Sequence, residues 1–401
     1  MSRLLENKRI VLGVTGSIAC YKAADLASKL TQEGAQVDVV MTHSAVQLIS
    51  PLTFSSLTHR PAITEMFGPA SSQAIRHISL AGEADILVIA PATAHVIARL
   101  AHGLADDLLT TTTLATRAPI LVAPAMDAHM YENPATQENV ETLRKRGIAI
   151  AGPAWGRTAS GQVGLGRMVE VPELMEHIAI VLGRSGDLAG RRMVVTAGGT
   201  QEPIDPVRVV TNRTGSMGKM GYAIARAARD RGASVTLVAA PTALPDPIGV
   251  ETVYVMTAEE MRAAVASAVR NCDALLMAAA VADYRPAESS PRKMKKGADA
   301  WTLEMARTSD ILAEAQGDFV RVGFAAETED LVANARKKLA AKGLHLIVAN
   351  DVTDPEGGFS SENNRVTLVD AEGHAEALPL MPKYEVAHRV LDRVADLIAR
   401  R

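Results

Sequence analysis

Short, wholly apolar runs recur along the chain, separated by longer stretches whose apolar residues fall at helical spacing. In the first half Arg9–Val14, Gln36–Met41, Ile86–Ala90, Ile120–Ala123 and Ile148–Ala151 read as buried strands. Helices are predicted over Ile18–Glu33, through the stretch ending at Leu57, and over Asp106–Ala115 and Pro134–Arg146. The second half repeats the rhythm, with strands at Met193–Ala197, Ser234–Val238, Ala274–Ala278, Val320–Phe324 and His345–Val348. Helices are predicted at Lys219–Arg231, Ala258–Arg270 and Asp330–Ala341, and the chain closes with a strand at Arg365–Val369 and an amphipathic helix at Lys383–Ala399. Strands without a polar face, alternating with amphipathic helices, imply right-handed βαβ crossovers and a doubly wound parallel α/β sheet in each half. Lys8–Gly16 and Arg191–Gly199 begin alike, as a basic pair, an apolar run and a Gly/Thr turn. The polar, Gly-rich stretch Gly183–Gly190 between the halves sets a domain boundary, giving domains 1–190 and 191–401. Ligands of such sheets bind beyond the carboxyl ends of the strands. The loops after Val14, Met41, Ala90, Ala123, Ala197, Ala278 and Phe324 are therefore where function is sought.

Composition narrows the class. The 401 residues carry 42 Lys and Arg against 45 Asp and Glu, intermixed, which leaves no basic stripe to neutralise a nucleic acid backbone. Aromatic residues, at 3%, are too few for base-stacking platforms, while 48% hydrophobic content is ample for two cores. The two cysteines, Cys20 and Cys272, exclude a disulfide framework or Cys-rich metal site and fit a reducing compartment. No targeting segment and no run approaching ~20 apolar residues is present, so a cytoplasmic location is expected.

The first strand–helix turn, Gly13-Val14-Thr15-Gly16-Ser17-Ile18, lacks the second and third glycines of the dinucleotide fingerprint G-x-G-x-x-G. Its backbone N–H groups, hydroxyl and helix start suit one phosphate better than a pyrophosphate, which favours a mononucleotide such as FMN over NAD. An ordinary tight turn with a Ser cap is an equal alternative on this motif alone. Neither half contains a P-loop, so a nucleoside triphosphate, if used, is held another way.

Longer motifs carry a resemblance. GVTGSIACYKAADL, MTHSA, HISL, APATAHVIARLAHGLADDLLTT, PAMDAHMYENPAT and GQVGLGRM together resemble the flavin-dependent phosphopantothenoylcysteine decarboxylases, members of the homo-oligomeric flavin-containing cysteine decarboxylase type. TAGGTQEPIDPVRVVTNRTG, AAAVADYRP, KMKK, GFAAET and VANDV resemble phosphopantothenate–cysteine ligase. In this order they cover nearly the whole chain and resemble the bifunctional enzymes of coenzyme A biosynthesis.

For the first half, the resemblance implies FMN held by Gly16, Ser17, Thr42, Thr93, Thr110 and Thr111. The flavin would solve a defined problem: the cysteinyl carboxylate has no electron sink, and oxidation of CH2–SH to a thioaldehyde creates one before the enethiolate is re-reduced. His77 would be the active-site base, suited to proton transfer at neutral pH, although a lone histidine in a polar turn is by itself more often a surface residue. Asp127 stands where a common family form has Asn binding the substrate carboxylate. Two carboxylates ~4 Å apart at an effective dielectric of ~20 repel by roughly 4 kcal/mol. Asp127 is therefore either protonated with substrate bound, or contacts another group, or bonds the backbone. Met130 would face the substrate. Ser160 replaces a cysteine that donates the reductive proton in many relatives, and a hydroxyl is a much weaker acid than a thiol of pKa ~8.5.

For the second half, the resemblance implies CTP and Mg2+: the 4′-phosphopantothenate carboxylate attacks the α-phosphate, pyrophosphate leaves, and cysteine opens the acyl-cytidylate. Asn212 would hold that intermediate, Arg208 would bind anionic substrate groups, and Lys293, in a loop over 285–300 read as a mobile lid, would close on the phosphates. CTP would meet Met277, Ala278, Ala279, Asp283, Ser309, Asp310, Ile311, Leu312, Phe324, Lys338 and Lys342, with Asp283 also a candidate metal ligand. TNRTGSMGKMG is longer than the usual TNRSSGKMG form, which shifts the register of Thr214–Met217. Small-molecule substrates and a homo-oligomer, a trimer or dodecamer, follow from the same resemblance. The alternatives are a related flavin-dependent decarboxylase or prenyltransferase with a regulatory second domain, and a nonenzymatic regulatory subunit. His77→Asn is expected to abolish decarboxylation while FMN stays bound, measured as CO2 release against flavin absorbance; full activity in that variant would remove His77 from the chemistry.

Overall fold

The structure is a computed structural model that describes residues 2–66, 76–212, 218–295, 301–327, 329–351, 356–357 and 361–401. The chain divides into two compact units, Met1–Gly183 and Arg184–Arg401. Among the described residues no helix is long and apolar enough to cross a membrane.

In the first unit α1 (Ser2–Leu5) precedes β1 (Arg9–Val14), α2 (Cys20–Gln32), β2 (Gln36–Met41), α3 (His43–Val46), α4 (Pro51–Thr58), α5 (Arg76–Glu83) and β3 (Ile86–Ala92). There follow α6 (Ala94–His102), α7 (Leu108–Ala115), β4 (Ile120–Pro124), α8 (Ala128–Glu132), α9 (Pro134–Lys145), β5 (Ala149–Ile150), a hairpin of β6 (Ala154–Arg157) and β7 (Val163–Arg167), and α10 (Val171–Gly183). The five-stranded sheet is parallel throughout, in the order β2-β1-β3-β4-β5. Every residue of β3 is buried because helices cover both faces: Leu26, Leu30 and Ile178 pack on one, Val96, Ile97, Val140 and Leu143 on the other.

The second unit comprises β8 (Arg192–Ala197), β9 (Gln201–Pro203), β10 (Val209–Thr211), α11 (Lys219–Arg229), β11 (Ser234–Ala239), β12 (Glu251–Tyr254), α12 (Ala258–Ala268), β13 (Ala274–Met277), β14 (Tyr284–Pro286) and β15 (Met305–Arg307). It continues with α13 (Ile311–Glu314), β16 (Val320–Glu327), α14 (Leu331–Lys342), β17 (Leu346–Asp351), β18 (Asn363–Asn364), β19 (Val366–Asp370), β20 (Ala375–Ala377), β21 (Met381–Pro382) and α15 (Lys383–Ala399). Its eight-stranded sheet runs β12-β11-β8-β13-β16-β17-β19-β20, parallel as far as β17 and antiparallel at the last two strands.

The structure differs from the sequence reading at definite places. Residues 184–190 belong with the second unit: Leu188 lies in its core, and the Arg231 guanidinium, itself nearly buried, grips both oxygens of Asp187. The first long helix begins at Cys20, because Gly16–Ala19 form a turn in which the Cys20 N–H donates to Ser17 O at 3.0 Å. The segment around His77 is a helix and not a polar turn; it seats Leu80 and Ala81 in the core, and the Thr116 hydroxyl donates to Ala81 O at 2.9 Å. Helix α6 and strand β12 escaped the reading, and residues 284–286 pair with 305–307 at the base of what was read as an open loop. Thr214–Met217, whose register the sequence shifts, fall outside the described residues.

Packing is close where α11 crosses the end of β8. A Cβ on Gly221 would stand 2.6 Å from Ala197 Cβ and 2.7 Å from Thr196 O. Gly221→Ala is therefore expected to destabilise the second unit by about 1–3 kcal/mol through overpacking, visible as an earlier thermal transition of that unit with the transition of the first unit unchanged.

Candidate active sites

In the first sheet β1 has β2 on one side and β3 on the other, so the chain turns away in opposite directions after Val14 and Ala92 and leaves a crevice between the two loops. Local sequence shapes its walls. Thr42 and Thr93, both extended, cap α3 and α6 by accepting the N–H of Ala45 and Val96 at 3.3 Å. Gly16 is required because a Cβ there would lie 2.5 Å from Ser44 Cβ. The result is a cleft of about 460 Å3 lined by Gly16, Ser17, Thr42, Thr93 and Met130, together with Ser44, His43, His95, Arg99 and Asp107, which sequence reasoning had not selected. Its volume and its hydroxyl and backbone donors fit a mononucleotide such as FMN. Thr110 and Thr111 do not line it: Thr110 is buried and its hydroxyl is committed to Asp107 at 2.8 Å within a capping box, and Thr111 donates to Ala105 O at 3.3 Å. Arg99 reaches the cleft already neutralised by Asp106 and by Asp107, the latter at 2.7 Å.

A second cavity of about 560 Å3 adjoins the cleft at Ser17, Ala125 and Met126. Asp127, Ser160, Lys22, Arg157 and Arg167 line it. Ser160 lies in the turn of the β6–β7 hairpin, which the Thr158 N–H closes on Gln162 O at 2.7 Å, and the Ser160 hydroxyl donates to Asp127 Oδ2. Asp127 also caps α8, accepting the His129 N–H at 3.0 Å. These two bonds, that of Ser160 foremost, hold the Asp127 carboxyl below its ordinary range, so in the free protein it is a carboxylate bonded to the backbone and to the hairpin. Lys22 and Arg167 both meet Glu170, at 2.9 and 2.8 Å. Arg157 has no carboxylate within ion-pair distance among the described residues. It could have been suspected from sequence as the basic residue three positions before Ser160. Met130 lies in the cleft and not in this cavity, and His77 lines neither.

In the second unit the crevice opens at the carboxyl ends of β13 and β16. A cavity of about 830 Å3 gathers Met277, Ala279, Asp283, Ser309, Asp310, Ile311, Leu312, Phe324, Lys338 and Lys342, residues drawn from widely separated segments. Tyr284, Arg307 and Thr308 join them; Thr308, the residue before the selected Ser309, fixes the floor by donating its hydroxyl to Ala282 O and its N–H to Asp283 O. Lys338 and Lys342 share one helical face as their spacing requires. Burial, and then Lys342 beside it, push the Lys338 ammonium below its ordinary value, and its Nζ donates to Phe324 O at 3.1 Å. Lys342 bonds Asp310 at 2.8 Å; burial would raise that carboxyl, but Lys342 and the Ala313 N–H outweigh it and hold it low. Ala278 packs toward the core, outside the lining. Asn212 donates to Val281 O at 3.1 Å, on the strand-end loop that enters the cavity. Lys293 is exposed and does not line the cavity, and Arg208 is bound to Asp205 at 3.0 Å.

Comparison with known proteins shows the family. One solved structure, described as the crystal structure of the C-terminal domain of coenzyme A biosynthesis bifunctional protein CoaBC, is 40% identical over 54% of this chain and all of its own, with a TM-score of 0.47. Residues 1–183 match the family model described as Flavoprotein, and residues 188–398 the one described as DNA/pantothenate metabolism flavoprotein C-terminal domain. The coenzyme A biosynthesis bifunctional protein CoaBC of Bacillus subtilis is 46% identical over 401 residues, with 98% of each chain covered. Its Mycobacterium tuberculosis counterpart is 43% identical over 411 residues, covering 98% of this chain and 97% of the relative. With a flavoprotein half and a pantothenate-metabolism half matched from end to end, the chain belongs to the family of bifunctional enzymes of coenzyme A biosynthesis.

Proposed function

We propose that the second unit ligates cysteine to 4′-phosphopantothenate with CTP and that the first, with FMN, decarboxylates the resulting 4′-phosphopantothenoylcysteine to 4′-phosphopantetheine. The observation that carries the reading is the second-unit cavity. It joins two lysines, an exposed Asp283 carboxylate and an apolar wall at Phe324, Ile311 and Leu312, a combination that suits a nucleoside triphosphate. In the ligation a carboxylate oxygen bonds to the α-phosphorus and pyrophosphate departs; the cysteine amine then bonds to the acyl carbon and CMP departs. Lys338, Lys342 and Lys293 stabilise the charge that moves to the leaving phosphates. Asn212, anchored to the Val281 carbonyl, is the residue assigned to the acyl group. Oxygen donors suit Mg2+, which is ordinarily bound by one or two carboxylates and the substrate phosphates, and Asp283 is the residue assigned to it.

In the first unit the flavin, when bound, supplies the two-electron sink that makes loss of CO2 feasible. The chain's own residues orient the substrate. Because Asp127 is ionised, repulsion of roughly 4 kcal/mol at ~4 Å keeps the reacting carboxylate away from it, and Arg157, which has no acidic partner among the described residues, receives an anionic substrate group. Ser160 spends its one proton on Asp127, while Thr158 Oγ lies 2.8 Å from Ser160 Oγ. The proton of the last step therefore enters from solvent through the Thr158–Ser160 hydroxyl pair, with Asp127 orienting Ser160 as an acceptor. His77, outside both cavities and beside the exposed Ile78, serves the flavin of a neighbouring copy in a homo-oligomer.

Purified protein is expected to be yellow and to make 4′-phosphopantetheine from 4′-phosphopantothenate, cysteine and CTP with release of pyrophosphate; a colourless protein that releases none would overturn the reading. The pH dependence has a definite sign. The Asp127 carboxyl, depressed by its donors, protonates only below its ordinary value near ~4, so an acid limb of decarboxylase kcat/KM at higher pH belongs to another group. That limb should stay in place in Asp127→Asn, and its disappearance would show that a protonated Asp127 takes part.

A further inference from the structure

Asp205 lies in the turn between β9 and β10 with its side chain wholly shielded from solvent. Its two oxygens are divided between separate tasks. Oδ1 accepts the N–H groups of Val207 and Arg208, both at 2.8 Å, which closes the turn itself. Oδ2 accepts the N–H of Met294 at 3.1 Å and the Arg208 guanidinium at 3.0 Å, and Arg208 also donates to Met294 O at 3.3 Å. One more bond, from the Ser290 N–H to Ile204 O at 2.9 Å, fastens the same segment to the same turn. Met294 follows Lys293 directly. The segment leaves the rim of the nucleotide cavity at Tyr284–Pro286, where β14 pairs β15, and it would otherwise carry a run of lysines into solvent.

A buried carboxylate is costly unless its acceptor sites are filled. Closing a turn needs one oxygen. The second is spent on a strip of chain far away in sequence, so burial of this charge is coupled to where that strip lies.

We propose that Asp205 is a positioning residue for Lys293: it clamps the lysine-bearing segment at the edge of the second-unit cavity, with Arg208 as the other jaw of the clamp. The proposal rests on the reading of Lys293 as the residue that meets the nucleotide phosphates. It replaces a freely mobile lid over 290–294 with a pinned one, and it moves Arg208 from direct contact with substrate to support of the segment.

Asp205→Asn separates the two tasks. Its remaining oxygen still closes the turn, while its NH2 group faces the Met294 N–H and the Arg208 guanidinium, donor against donor. In the full-length protein, acyl-cytidylate formation from CTP and 4′-phosphopantothenate, followed as single-turnover pyrophosphate release, should slow on the order of 10–100-fold. Trypsin should cut within 293–295 faster than in the parent, with flavin absorbance and the KM for cysteine unchanged. The double variant Asp205→Asn/Lys293→Gln should be no slower than Lys293→Gln alone, since both changes act through one side chain. Multiplying effects, or an unaltered trypsin pattern, would overturn the clamp. If Asp205→Asn does not fold, Met294→Pro deletes the N–H donor nearer the surface; it is read by pyrophosphate release and by trypsin cleavage after Lys295, because a proline following Lys293 blocks the cut there. A parent protein that releases no pyrophosphate refutes the ligase reading instead, and the trypsin comparison still tests whether Asp205 holds the segment.

Discussion

A strand hydrogen-bonded on both edges to parallel neighbours, with its successors built outward on opposite sides, forces the loops at its carboxyl end apart. β1 stands so between β2 and β3, and β8 between β11 and β13. Helices α2 and α10 cover one face of the first sheet and α6 and α9 the other, as α11 and α15 oppose α12 and α14 in the second unit. With both faces shut, the strand ends are where clefts can form. The first-unit cleft, the neighbouring Asp127 cavity and the second-unit cavity all open there.

Charge at these openings is largely prepaired. Arg99 is held by Asp106 and Asp107, Lys22 and Arg167 by Glu170, Lys342 by Asp310 and Arg208 by Asp205. Ion pairs of this kind fix side chains in place before a ligand arrives, which lowers the reorganisation left for binding. Among the described residues three cavity-lining cations stand apart from that pattern. Arg157 on the hairpin and Arg307 in the second unit have no acidic partner, and Lys338 is bonded to the Phe324 carbonyl, its charge disfavoured by burial. Each is poised to gain from an anion.

In the hairpin of the first unit the Ser160 hydroxyl satisfies the Asp127 carboxylate and holds it ionised, so the two side chains form a single hydrogen-bonded unit.

Much of this was legible in the residues. All-apolar runs located β1, β2, β8 and β11 closely, and Lys383–Ala399 emerged as α15 because its apolar stripe holds helical period from end to end. Helix α6 had its signals too, Thr93 before it, Gly103 after it and Val96, Ile97, Leu100 and Ala101 on one face, and was passed over. Other features had no local signal. The helix around His77 is short and polar along much of its surface, and it is stabilised by burying Leu80 and Ala81. The sequence by itself determined the strand-and-helix alternation, the positions where sites could open and most of the side chains that line the second-unit cavity, because periodicity and motif spacing are local properties. Only the tertiary structure decided which charged groups are spent on each other. The bond from Ser160 to Asp127 and the bond from Met294 to Asp205 each span dozens of residues, and the energy of a buried charge depends on which donors the fold brings to it.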